Sequence, residues 1–277
     1  MALRLKEITG INREADGSER VIMATSSLDA RILEKYHRSP GEQRRTADLL
    51  RLIPPGHGTV LDAGARDGFY SALLAERFIS VTALDLVKPP LRMERVQCVE
   101  GDITQLKYPD RNFDVVFCTE VLEHVAALEK ACAELMRVAK CFIIIGVPYR
   151  QDTRIGRTTC GLCGNIGPPW GHVNVFDELK LERLFRPWIA VEKSFVGESR
   201  ERTNELASWL MDLGGNPWGE YENQNCIHCG GRLFAPDNRC FRQKMLAAAG
   251  FRITKIATLF SRPHGNWIHI VFRRNDS

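Results

Sequence analysis

The sequence predicts an α/β protein whose parallel sheet is covered by helices on both faces. From Thr59 onward, short apolar runs alternate with stretches of helical spacing. The apolar runs are nearly continuous rather than alternating with polar residues, as strands buried on both faces require. They also end on acids and glycines, at Asp62-Ala63-Gly64, at Asp85 and at Glu100-Gly101-Asp102. Turns of that composition lie at the ends of strands rather than inside them.

In chain order, a helix is expected over residues 40–53, with Gln43, Ala47, Leu50 and Leu52 giving its apolar face before Pro54-Pro55. A first strand ends at Leu61, and Phe69, Leu73, Leu74 and Phe78 then repeat at helical spacing. Strands are expected over 81–86, 96–99 and 113–118. The next helix carries Val125, Leu128, Cys132, Leu135 and Ala139 on one face, and a fifth strand covers 141–147. Beyond it the pattern predicts helices over 177–185, 199–213 and 242–249, and strands over 188–196, 253–259 and 267–273. Residues 214–239 are rich in Gly, Asn, Pro and Cys and follow neither period.

The bulk properties narrow the function classes. The 277 residues are 44% hydrophobic and 26% charged with a net charge of +4, ordinary values for a globular protein. The basic residues are scattered, so nothing argues for a nucleic-acid stripe. No apolar run reaches the ~18 residues that a membrane span needs, and the first twenty residues lack the apolar core of a secretory peptide. No membrane partner is expected, and the compartment reads as reducing and cytoplasmic.

The segment Val60-Leu61-Asp62-Ala63-Gly64-Ala65-Arg66-Asp67-Gly68-Phe69-Tyr70 ends a strand on an acid and opens a helix through two glycines. Such a turn lets the backbone approach a ligand. The Gly-x-Gly-x-x-Gly pattern of a dinucleotide site is absent. An acid ahead of the glycines suits a ligand carrying an ammonium group. Asp85 is placed to accept from two ribose hydroxyls. Asp102 is placed to accept from an exocyclic amine, with Ile103 packing on the ring. A fourth segment, Phe113-Asp114-Val115-Val116-Phe117-Cys118, follows in order.

Residues 59–148 resemble the core of the class I S-adenosylmethionine methyltransferases, of the group with a Val-Leu-Glu-His segment after strand four (here Val121-Leu122-Glu123-His124). Arg137-Val138 and Pro148 fit the same group. The resemblance implies a seven-stranded, mostly parallel, Rossmann-like sheet, with S-adenosyl-L-methionine over its C-terminal edge. It implies Asp62, Gly64, Asp85 and Asp102 as contacts, and the segments carrying them add Ala65, Gly68, Tyr70, Leu86, Ile103 and Thr119. Arg66 stands where the family usually has the middle glycine of the loop, so that position must accommodate a side chain.

A second constellation follows strand four. Glu120, Glu123 and His124 are spaced to share a helical face, and Gly171-His172 comes later. Similar Glu-x-x-Glu-His segments with a later His occur in the ubiquinone-pathway O-methyltransferases and the small-RNA 2′-O-methyltransferases, where they hold a divalent metal. Three readings stand: Mg²⁺ or a similar ion at Glu120, Glu123, His124 and His172, a metal-free base role for His124 or His172, or a structural role. Glu120, His124 and His172 are the candidate catalytic residues.

Of nine cysteines, four form two Cys-x-x-Cys pairs, Cys160/Cys163 and Cys226/Cys229, each followed by glycine. Two such knuckles make a closed tetrahedral site for structural Zn²⁺, and a redox pair or no joint site are the alternatives. The expected organisation is an N-terminal helical cap over 1–57 and a cofactor-binding core over 58–150. An insertion over 151–240 holds a small zinc-ribbon-like lobe and continues the core, and a helix and strands over 241–277 complete the sheet. No Asn/Asp-Pro-Pro-Tyr segment and no Pro-Cys nucleophile follow strand four, which favours a small-molecule acceptor modified on O or N. An RNA or protein acceptor gripped by the lobe, with Trp170, Trp209, Trp218 and Tyr221 in or near it, is the second reading. A non-catalytic interaction protein on this fold is the third.

Overall fold

The computed structural model describes residues 33, 35–55, 58–222 and 224–275. The expected cap over 1–57 therefore lies partly outside the described residues. Seven strands form one sheet in the order β3-β2-β1-β4-β5-β9-β8. These are β1 (Thr59–Ala63), β2 (Ser80–Asp85), β3 (Val96–Glu100), β4 (Phe113–Thr119), β5 (Ala139–Pro148), β8 (Ile189–Val196) and β9 (Trp267–Arg273). Neighbours among β1–β5 run parallel, and β9 is antiparallel to both β5 and β8. The order reverses between β1 and β4, which opens a crevice at their C-terminal ends.

Alternate residues of the central strands feed the two faces. Val116, Cys118, Ile143, Ile145 and Val147 join one core under helix α3 (Leu128–Val138). Val115, Phe117 and Ile144 join the other, beneath α1 (Pro40–Arg51) and α2 (Phe69–Ala75). Three further helices are α4 (Glu178–Leu184), α5 (Glu205–Leu213) and α6 (Phe241–Leu259), and β6 (Thr158–Thr159) pairs with β7 (Ile166–Gly167) in a small hairpin.

Three expectations need correction. Residues 253–259 continue α6 rather than forming a strand. Their β-branched side chains cost a helix only tenths of a kcal/mol each, roughly, and packing outweighs that. A Cβ on Gly250 would lie 2.7 Å from the Ala207 carbonyl oxygen, and the Thr254 and Thr203 hydroxyls meet at 2.7 Å, so α6 lies tight on α5. The buried face of α1 is Glu42, Arg45 and Leu49, while Gln43 and Ala47 are exposed. Finally, Glu120 has φ +56° and residues Leu122–His124 make one 3-10 turn, so no helical face joins them.

α1 is anchored by Asp48, whose carboxylate accepts from Ser194 Oγ at 2.9 Å and pairs with Nδ1 of the fully buried His269 at 2.7 Å. Burial pushes His269 down to about 4, against the opposing pull of Asp48. The folded state thus disfavours protonation, and this stability is present above the unfolded value and lost as pH falls through about 4. Denaturant titrations between about pH 6.5 and 4 are expected to show roughly 3 kcal/mol more loss for the wild type than for His269→Leu.

Candidate functional site

The first loop is built by glycine. Gly64 and Gly68 have φ of +86° and +84°. A Cβ on Gly64 would come 2.0 Å from Val121 Cγ2, so glycine is needed for both conformation and space. Arg66 has φ +49°, the left-handed region open to side chains at a cost of about 1 kcal/mol. Its side chain is exposed and its N–H donates to Asp85 Oδ2 at 2.8 Å. The backbone amides of Gly64 and Ala65 donate to the Leu84 carbonyl, tying the loop to β2.

Asp62, Asp85 and Asp102 stand at or just past the C-terminal ends of β1, β2 and β3, and Thr119 ends β4. Asp62 is buried and accepts from Ser71 Oγ at 2.5 Å, and burial raises its carboxyl to about 7. Asp102 Oδ1 accepts from the Thr104 N–H at 2.7 Å, which shapes the turn, while Ile103 is buried in the core with Leu84. Leu86 is exposed. Tyr70 turns toward α1, where its hydroxyl donates to Glu42 at 3.1 Å.

Glu120 is engaged by the segment around α1. Arg45 Nη2 donates to Glu120 at 2.6 Å and to Glu42 at 2.6 Å, and Tyr36 donates to Glu120 at 3.0 Å. Arg45 is buried and stacks over Trp267 at 4.5 Å. His37 meets Asp67 at 2.9 Å and stacks on Phe69 at 3.8 Å. These residues close α1 over the crevice, and the sequence reading missed them. The signal was there as Glu42 and Arg45 at i,i+3, a pair ordinarily assigned to the solvent face of a helix.

The structure brings Glu123, His124 and His172 together, one ligand atom of each lying within 4.8 Å of the others. The two imidazoles stand edge to face at 4.6 Å. His172 arrives because loop 171–174 is fastened to the 3-10 turn. The Val173 and Asn174 amides donate to the Glu123 carbonyl, and Asn174 Nδ2 donates to the carbonyls of Leu122 and Val125. His172 Nδ1 meets Gln151 Oε1 at 2.6 Å. Burial lowers His124, and burial together with His124 lowers His172 to about 3, so both rings are neutral near pH 7. Glu123 is 1% exposed, neither carboxylate oxygen has a protein partner, and burial pushes it up to about 8. Arg66, Glu120 and Trp170 all hold left-handed φ around this crevice. Strain of that kind gathers at functional sites.

The cysteine pairs meet. Cys160 and Cys229 sulfurs lie 3.7 Å apart, as do those of Cys163 and Cys226. A tetrahedron with Zn–S bonds of about 2.3 Å has edges of roughly 3.8 Å, so the donor set fits zinc. Gly164 and Gly230, both at φ +72°, return their amides to the carbonyls of Cys160 and Cys226. Between the knuckles the chain folds back through Tyr221, whose buried hydroxyl receives the Thr159 N–H and donates to the Asn216 carbonyl. A Cβ on Gly171 would touch Ile227 at 3.7 Å and His124 Nδ1 at 3.8 Å. The second knuckle thus lies against the imidazole pair.

Residues 61–141 match the methyltransferase domain family. The core is a class I methyltransferase domain. Among curated relatives, a malonyl-[acyl-carrier protein] O-methyltransferase of Serratia marcescens is 32% identical over 42% of this chain and 49% of its own length. A ubiquinone biosynthesis O-methyltransferase of Idiomarina loihiensis is 36% identical over 28% of this chain and 37% of its own length. The chain therefore spans less than half the length of these two relatives. Among solved structures, the N-methyltransferase NodS of Bradyrhizobium japonicum superposes with a TM-score of 0.50 at 15% identity, covering 87% of this chain and 99% of that one. The [4+2]-cyclase SpnF superposes with a TM-score of 0.51 at 17% identity, covering 87% and 84%. The methyltransferase core thus shares its fold with a protein named for another reaction, so the acceptor chemistry must be argued from the site.

Proposed function

We propose that this chain transfers a methyl group from S-adenosyl-L-methionine to an oxygen or nitrogen of a small-molecule acceptor. The observation that carries the reading is the row of acids at the ends of β1, β2 and β3 within the matched segment. Asp62 is a buried carboxyl suited to an ammonium group, Asp85 to ribose hydroxyls, and Asp102 to an adenine amine. When bound, the sulfonium supplies an already activated methyl group. The protein then has to hold the acceptor in line and exclude water. The helix α1, within the expected cap, closes over the crevice through Arg45 and Glu120. Of the two neutral rings His124, the exposed one, takes the proton that the acceptor loses, and His172, held at about 3, stands edge to face against it. The two curated relatives named above are both O-methyltransferases, which supports an oxygen acceptor.

A divalent cation at Glu123, His124 and His172 is the second reading, favoured by the buried Glu123 carboxylate with no protein partner. Oxygen and imidazole donors suit Mg²⁺ or Mn²⁺, and the ion would hold the acceptor oxygen. Glu120 stands outside this set because Arg45 occupies it. The test is methyl transfer from labelled cofactor to fractionated metabolites. Both His124→Ala and His172→Ala are expected to lower turnover about 10²- to 10⁴-fold with cofactor affinity unchanged. Activity restored by added Mg²⁺ after chelation in the wild type, but not in Glu123→Gln, selects the cation. Equal turnover in all three variants would sink both roles.

A further inference from the structure

We infer that the outer face of α6 docks on an anionic lipid surface. α6 turns Ala247 and Gly250 inward against α5. On the opposite side Phe241, Met245, Ile256 and Leu259 fall within about 60° of one another at the helical repeat, and they are 79%, 57%, 56% and 76% exposed. Phe260, just past the helix, is 85% exposed. A helix apolar on both faces needs a second apolar contact, and among the described residues none covers this side.

The charge on that face selects the occupant. Residues 241–260 carry Arg242, Lys244, Arg252 and Lys255 and no Asp or Glu. Lys244 and Lys255 flank the apolar stripe on one side and Arg242 on the other. Arg252 lies within the stripe, on a stem long enough to lift its head to the polar layer. Trp218 packs on Phe251 at 4.8 Å and is half exposed beside the helix. Exposed Phe, Met, Ile and Leu side chains with lysines at their borders and a tryptophan alongside suit contact with an anionic headgroup layer.

A second copy of this chain fits less well, since a two-fold contact would set four cations against four with no acid on the helix to pair them. Residues 1–32 balance five Lys/Arg against five Asp/Glu and offer no complementary charge. The docking is peripheral, as no helix among the described residues is long and apolar enough to cross a membrane. It adds a partner that the composition did not suggest. Thr258 Oγ1 donates to the Arg202 carbonyl, and the loop after α6 leads through Asn266 to Trp267, on which Arg45 stacks.

The experiment is flotation of the full chain with phosphatidylglycerol-containing vesicles and with pure phosphatidylcholine vesicles. Binding is expected to be at least about tenfold tighter to the anionic vesicles and to weaken as salt rises. The doubles Phe241→Ser/Leu259→Ser and Lys244→Glu/Lys255→Glu should each lose about tenfold or more, with an unchanged melting curve because all four residues are exposed. Phe234→Ser, an exposed aromatic elsewhere, should bind as wild type. No preference for anionic vesicles, insensitivity to both doubles, or self-association abolished by the same doubles would each overturn the assignment.

Discussion

Lowering the pH from about 8 to about 6 is expected to weaken S-adenosylmethionine binding about tenfold, through Asp62. Burial at the end of β1 raises this carboxyl to about 7, with Asp85 and Asp67 adding to the rise and the Ser71 hydroxyl opposing it. An ammonium group held beside Asp62 favours the ionised form. Below about pH 7 binding must therefore expel a proton, while above it the carboxylate is already charged. Affinity should thus rise with pH and level off, with close to one proton released at about pH 6. Calorimetry in two buffers of different ionisation enthalpy counts that proton. Asp62→Asn is expected to bind more weakly at pH 8 and to show no slope. A flat profile in the wild type, or the same slope in Asp62→Asn, would remove Asp62 from the cofactor site.

The fold was legible because the central strands are buried on both faces and read as apolar blocks. The class of the first loop was legible because acid, glycine and spacing together select among ligands. What was not legible is instructive. Gln43 and Ala47 looked like the inner face of α1, yet Glu42 and Arg45 are the buried residues. Arg45 is buried between two carboxylates, Glu42 one turn away and Glu120, 75 residues on. Local periodicity cannot register the second. The same holds for His172, which reaches His124 only through loop hydrogen bonds to Glu123, Leu122 and Val125. In α6, β-branched residues suggested a strand because the contact that fixes the helix, Gly250 on Ala207, is also long-range.

The cysteine knuckles are the opposite case: local chemistry legible, separation awkward, and closure supplied by the chain between. We propose that the four cysteines hold zinc, and chelation is then expected to unfold this lobe while sparing the sheet. Four thiolate ligands contribute on the order of 10 kcal/mol in small zinc domains, and among the described residues the lobe's own apolar cluster is Cys160, Tyr221, Cys226 and Leu233. Hydrogen exchange should show the amides of Gly164 and Gly230 losing protection by about 10³-fold or more on chelation, with β1, β4 and β5 unchanged. Function should divide the same way. Ile227 of the second knuckle packs at Gly171, beside His124 and one residue before His172. Loss of the knuckle removes the Ile227 contact from the loop that carries His172 and leaves Asp62, Asp85 and Asp102 in place. Cys163→Ser and Cys226→Ser are therefore expected to lower acceptor turnover tenfold or more, roughly, with cofactor affinity changed less than about twofold. Elemental analysis finding no zinc in protein purified without chelator, with Gly164 and Gly230 still protected, would show that the lobe holds its shape by other means. The sulfur separations of 3.7 Å argue against that outcome. Four reduced thiols gain little from meeting at that distance, whereas one zinc ion satisfies all four.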